Sequence, residues 1–87
     1  LFHVDDGLPD GMCIDDDDNV WLAVWGGSRI ECHDSRNGQL RATVSVAAKQ
    51  VSSCCFFGES KDTLFITSAR DGLSGAYDGR LFCCKVL

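Results

Sequence analysis

Apolar and polar residues alternate in short runs along this chain, and clusters of Gly, Asp, Asn and Ser interrupt the runs. Period-two alternation bounded by turn residues is the pattern of half-buried β-strands. It predicts strands over residues 12–15, 20–25 ("VWLAVW", ended by Gly26 and Gly27), 29–33, 40–46, 53–57, 63–68 and 80–86. Asn37–Gly38 in "DSRNG" is a strong turn dipeptide. "GESKD" and "ARDGLSGAYDG" connect the later strands. The single proline, Pro9, is expected to precede the first strand rather than interrupt it. No stretch carries a 3.6-residue period with caps, so no helix is expected.

The second half echoes the first. "GMCI…NVWLAV…SRIECHD" aligns with "SSCC…DTLFIT…GRLFCCKV", which sets Cys13 on Cys54, Trp21 on Leu64, Arg29 on Arg80 and Cys32 on Cys83. The offset grows from 41 to 43 to 51 because the later copy has longer loops. A repeat of roughly 40–45 residues with about four strands is the size of one β-propeller blade. The fold expected is therefore all-β: about two four-stranded antiparallel blades, over residues 8–50 and 51–87. Two blades cannot close a ring, and an open pair leaves unpaired strand edges. Either further chain supplies the missing blades or copies self-assemble. The chain starts at Leu1, in strand-like material and without an initiator Met, so a portion of a longer protein is expected.

Composition narrows the partners. The formal charge of −5 and the scattered basic residues argue against nucleic acid, which needs clustered Lys and Arg. No apolar run reaches the roughly 18 residues of a membrane span. The six cysteines include two adjacent pairs, Cys54–Cys55 and Cys83–Cys84, inside strand-like runs. Neighbours on a strand point to opposite faces, so such pairs neither bond to themselves nor chelate one metal. The expectation is reduced, mostly buried thiols in a cytoplasmic protein, with disulfides and a metal or redox role as the alternatives.

On residue chemistry alone, "PDG" at residues 9–11 reads as a turn, or else as a carboxylate placed by a stiff residue before it and a permissive one after it. The run of aspartates at residues 15–18 lacks the Gly and Glu that a twelve-residue calcium loop requires, so it reads as a solvated hairpin turn. Trp21 and Trp25 share a face by parity and are expected to pack between blades. His3 and His33 have no ligand spacing and read as surface or strand-end residues. Cys54 has no basic neighbour to make it a nucleophile. Arg70 and Asp71 are expected to form a local ion pair or cap that shapes their loop.

The longer motif is more specific. "PDGMCIDDDDNVWLAVWGGSRI", with "SSCCFFG" and "LFITSARDGL" further on, resembles the C-terminal part of the regucalcin/gluconolactonase family, also called senescence marker proteins. The resemblance implies a six-bladed propeller with one divalent metal (Ca, Zn, Mn or Mg) in its channel, hydrolysing sugar lactones. It assigns Asp10 as metal ligand and candidate general base, with the remaining ligands on earlier blades. It also matches the strand of Cys54 to the family's inner strand, so that Cys54 would line the channel. A non-catalytic calcium-binding or scaffold propeller segment, inactive in isolation, is the alternative from a different class. Two positions depart from the family pattern: an aspartate replaces the usual glycine in "DDDDNV", and the loop after "ARDGL" is short.

Overall fold

The computed structural model describes residues 3–57 and 62–86, so most of the expected "GESKD" connection lies outside the described residues. Strands β1 (Leu8–Ile14), β2 (Asn19–Trp25), β3 (Arg29–Asp34) and β4 (Leu40–Ser45) form one antiparallel meander. Strands β5 (Gln50–Phe57), β6 (Thr63–Ala69) and β7 (Leu81–Lys85) form a second, of three strands among the described residues. A single ladder contact, Trp25 with Gln50, joins them. The chain is all-β, as its alternation predicts, and the described residues contain no helix. None is therefore long and apolar enough to cross a membrane.

The connections follow local chemistry. Between β3 and β4, Gly38 adopts φ 76° and its N–H donates to the Asp34 carbonyl at 2.7 Å. The Asn37 side chain accepts from the Gln39 N–H, an Asx turn. The long loop before β7 is clipped by Asp78, whose carboxylate accepts from the Gly75 N–H at 2.9 Å and the Lys49 N–H at 3.1 Å.

Strand starts differ from the sequence expectation. β1 opens at Leu8, so Pro9 lies inside the strand; β1 pairs only with β2, and its free edge tolerates a residue without an N–H. β5 opens at Gln50, because Gln50 pairs across to Trp25 and Val51 is fully buried in the core.

The two meanders belong to one sheet, joined through β2 and β5, and share one core. Trp21, Ala23, Ile30 and Cys32 of the first meet Val51, Cys54, Leu64 and Ile66 of the second, with Val46 and Ala48 at the join. Trp21 sits edge-on to Phe56 with ring centroids 5.4 Å apart, as its expected place between blades requires. Trp25 is only half-buried and lies outside this core.

Pairing also corrects the repeat alignment. A row of cross-strand partners runs Cys13–Trp21–Cys32 in the first meander and Phe56–Leu64–Cys84 in the second. Cys84, packed against the core, therefore takes the place of Cys32, while Cys83 is exposed. A slip of one residue exchanges the two faces of a strand, so the pairing of Cys32 with Cys83 put the wrong thiol inside.

On the other face of β3, Arg29, Glu31 and His33 form a polar chain. Glu31 accepts from Arg29 Nε at 2.6 Å and lies 2.8 Å from His33 Nε2, and His33 Nδ1 faces the Gly38 carbonyl at 3.0 Å. His33 lies near the end of β3, one of the two places expected for it, but at 4% exposed it is not a surface residue. Arg29 also donates to the Asp5 carbonyl, which draws the N-terminal segment across this face.

Candidate functional site

Asp10 stands in a strand, not in a turn. Pro9 pairs with Val24 and Met12 with Leu22, so Asp10 and Gly11 together oppose Ala23 alone. Two residues against one is a β-bulge, which turns side chains away from the regular alternation. Asp10 is exposed there, and its carboxylate has no hydrogen-bond or ion-pair partner among the described residues.

A second bulge lies beside it on β5. Val51 pairs with Ser68 and Ser53 with Thr67, which leaves Ser52 as the extra residue. Gly11 backs directly onto this bulge. A Cβ built at Gly11 would lie 2.4 Å from Ser53 Oγ, 2.7 Å from Ser53 Cβ and 2.8 Å from the Ser52 carbonyl oxygen. Only glycine lets β1 and β5 approach this closely. Around the bulges, Ser52 Oγ lies 2.8 Å from Thr67 Oγ1, and Ser68 Oγ donates to the Arg80 carbonyl at 2.7 Å. Gln50 grips the backbone of Asp71 at both ends, accepting its N–H at 2.8 Å and donating to its carbonyl at 2.9 Å. The loop at residues 70–71 is thus held through the Asp71 backbone.

Residue-type reasoning did not bring Ser52 and Thr67 to this edge. The usable signal was Pro and Gly flanking Asp10 within an otherwise strand-like run, because both residues inside strands mark edges and bulges.

The aspartate run is a turn built around one carboxylate. Asp15 Oδ1 accepts from the backbone N–H groups of Asp17 and Asn19, each at 2.9 Å. Its Oδ2 accepts from Asn19 Nδ2 at 3.0 Å and Trp21 Nε1 at 2.9 Å. Burial pushes this carboxyl up, but the bonds from Trp21 and Asn19 outweigh it and hold the group below its ordinary value. Four N–H donors occupy the acceptor sites of one carboxylate, so Asp15 serves the fold rather than a cation. Asp18, at the position where the family pattern has glycine, takes φ 61° and closes the turn.

All six cysteines are free, as expected, but Cys55 and Cys83 are exposed rather than buried. Cys54 is buried in the core, not set in an open channel wall, and its Sγ lies 3.3 Å from the Trp21 carbonyl. Burial pushes its thiol far up, and that of Cys32 up to about 11, which leaves little thiolate on either at neutral pH.

No group of three His, Cys, Asp or Glu among the described residues could hold a metal ion. Asp10 can give one or two oxygens, whereas Ca²⁺ takes about 6–8. The described residues thus fit a metal only as one contributor to a larger ligand set.

A strand pair with bulged inner edges, packed on a neighbour through an apolar seam, defines a β-propeller segment. Residues 1–70 match the model of the SMP-30/gluconolactonase/LRE-like region. The chain belongs to that family. It is 42% identical over 69 residues to regucalcin of Danio rerio, a match that covers 79% of this chain and 23% of that protein. Among solved structures it superposes on a calcium-binding protein, regucalcin, from Agrobacterium tumefaciens with TM-score 0.85 and 28% identity, covering 92% of this chain and 29% of that one. A luciferin-regenerating enzyme superposes with TM-score 0.80 and 33% identity, covering 93% and 29%. The chain therefore spans about a quarter of the length of the relatives it matches.

Proposed function

We propose that this chain is the part of a metal-dependent sugar-lactone hydrolase that brings Asp10 to the channel of a six-bladed propeller. The observation that carries the reading is Asp10 itself: exposed, unpartnered and turned out by a two-against-one bulge within the family's "PDG" element. A divalent cation of this family would supply Lewis acidity toward the lactone carbonyl. Asp10 would contribute one carboxylate to its ligand set. The same carboxylate, within about 3 Å of the attacking water, could accept its proton. Gly11 and the Ser52 bulge hold β1 against β5, so the backbone carrying Asp10 is fixed from both sides. The remaining ligands and blades come from outside this chain, either from further parent chain or from other copies. Our division into two blades, about residues 8–50 and 51–87, is approximate, since Gln50 already opens β5, and six free thiols fit a reducing, cytoplasmic setting.

A second reading, a calcium-binding propeller without turnover, is favoured by the description of the Agrobacterium tumefaciens relative as a calcium-binding protein. A chimera separates the two. The matching segment of Danio rerio regucalcin is replaced by this chain's residues, and aldonolactone hydrolysis is followed by pH-stat with Ca²⁺, Zn²⁺ or Mn²⁺, beside the unmodified relative. The expected result is turnover that chelator abolishes and Asp10→Asn lowers at least about 100-fold, with calorimetric metal affinity also reduced. Asp10→Asn leaves the unfolding free energy within about 0.5 kcal/mol, as for an exposed, unpartnered side chain. Full activity in Asp10→Asn would overturn the assignment of Asp10. A folded chimera that binds metal without turnover, beside an active relative, would favour the scaffold reading.

A further inference from the structure

We propose that Cys13 and Cys54 are a modification site: a thiol pair that closes to a reversible disulfide latch between the inner strands β1 and β5. The two Sγ atoms lie 3.8 Å apart, on different meanders and 41 residues apart in sequence. The seam around them is already tight, since Gly11 of β1 approaches Ser53 of β5 as closely as backbones allow. Bond formation needs the sulfurs to close to about 2.05 Å, a movement of under 2 Å that side-chain rotation can supply. Cys13 is half-buried, and so within reach of a small oxidant, while Cys54 lies behind it in the core.

The other thiols are placed so that they do not compete within the chain. Cys55 and Cys83 flank Phe65 in one row across β5, β6 and β7, about two strand spacings or 9–10 Å apart. Cys13 and Cys32 flank Trp21 in the same way. Cys54–Cys55 and Cys83–Cys84 are sequence neighbours on opposite strand faces. Cys13 and Cys54, by contrast, lie on strands that are not hydrogen-bonded partners and bring their sulfurs to 3.8 Å.

The oxidant is a low-molecular-weight disulfide of the glutathione type. The Cys13 thiolate attacks it, forms a mixed disulfide and releases one thiolate. Cys54 then loses its proton, attacks the Cys13 sulfur and releases the second. Two protein thiols are oxidised and one small disulfide is reduced to two thiols. Burial raises both protein thiols above the ordinary value, so closure is slow at neutral pH and faster in mild alkali. The product pins β1 three residues beyond Asp10, and with it the bulge that presents the carboxylate.

The test oxidises the whole chain at low concentration with glutathione disulfide at pH 8, then alkylates and digests it without reduction. The expected product is a monomer with a Cys13–Cys54 linked peptide, a mass lower by about 2 Da, and four reactive thiols in place of six. Its thermal midpoint rises by about 10 °C or more, because the link closes a loop of about 40 residues, and dithiothreitol reverses both changes. Cys13→Ser and Cys54→Ala, each checked for folding by circular dichroism, lose the link and the shift. A glutathione adduct left on Cys13 would overturn the proposal, as would a link between other cysteines or a lowered midpoint.

Discussion

Gly11→Ala tests the seam that fixes the candidate site. The added methyl would fall 2.4 Å from Ser53 Oγ, 2.7 Å from Ser53 Cβ and 2.8 Å from the Ser52 carbonyl oxygen. Rotating the hydroxyl away relieves the first contact only; the other two atoms move with the β5 backbone. Restoring ordinary separation therefore opens β1 from β5 by several tenths of an ångström along the edge that carries Asp10. Forcing a methyl into a packed site costs about 1–3 kcal/mol. Alanine also restricts the unfolded chain, which returns about 0.4–1 kcal/mol. The steric term wins, and we expect a net loss of about 1–2 kcal/mol. For a domain of this size that is a fall of roughly 5–10 °C in thermal midpoint. Urea unfolding of the wild type, Gly11→Ala, Ser53→Gly and the double variant measures the coupling directly. Ser53→Gly removes two of the three clashes and should return part of the loss, leaving the Ser52 carbonyl as the residual. A neutral Gly11→Ala, or losses that simply add in the double variant, would refute the close approach of the two bulges.

Two other perturbations follow from the carboxylates. Asp15→Asn turns an amide nitrogen toward N–H donors that now meet a carboxylate, and should cost about 1–3 kcal/mol. Urea titration followed by tryptophan emission reads it, and a change below about 0.5 kcal/mol would refute the central role given to Asp15. Acid should also destabilise the chain: paired hydrogen bonds from Arg36 hold Asp34 at about 2, and Asp15 and Glu31 are likewise held below their ordinary values. Between the folded and unfolded values the unfolded chain binds more protons, so stability rises with pH there. The contribution is complete above about pH 4 to 5 and is lost as pH falls toward 2. Urea midpoints from pH 5 to 2 should fall, less steeply in Asp34→Asn; a flat profile down to pH 3 would contradict the pairing.

Alternation, turn residues and the absence of helical period determined the all-β class and the place of nearly every strand, because strand faces and turn conformations are set within a few residues. Asp10 was legible as a candidate only through the long motif around it, since "PDG" by itself is also a turn. The tertiary structure decided what local pattern cannot. Pro9 and Asp10 lie inside β1 because β2 pairs with them, and the bulge exists because Ala23 is the lone residue opposite Asp10 and Gly11. Cys84 faces the core instead of Cys83, since the ladder through Leu64 sets the parity of β7. His33 is buried because Glu31 and the Gly38 carbonyl receive its ring. Each of these depends on which strand lies alongside and in what register, a choice made by burying one apolar face against another across tens of residues of chain.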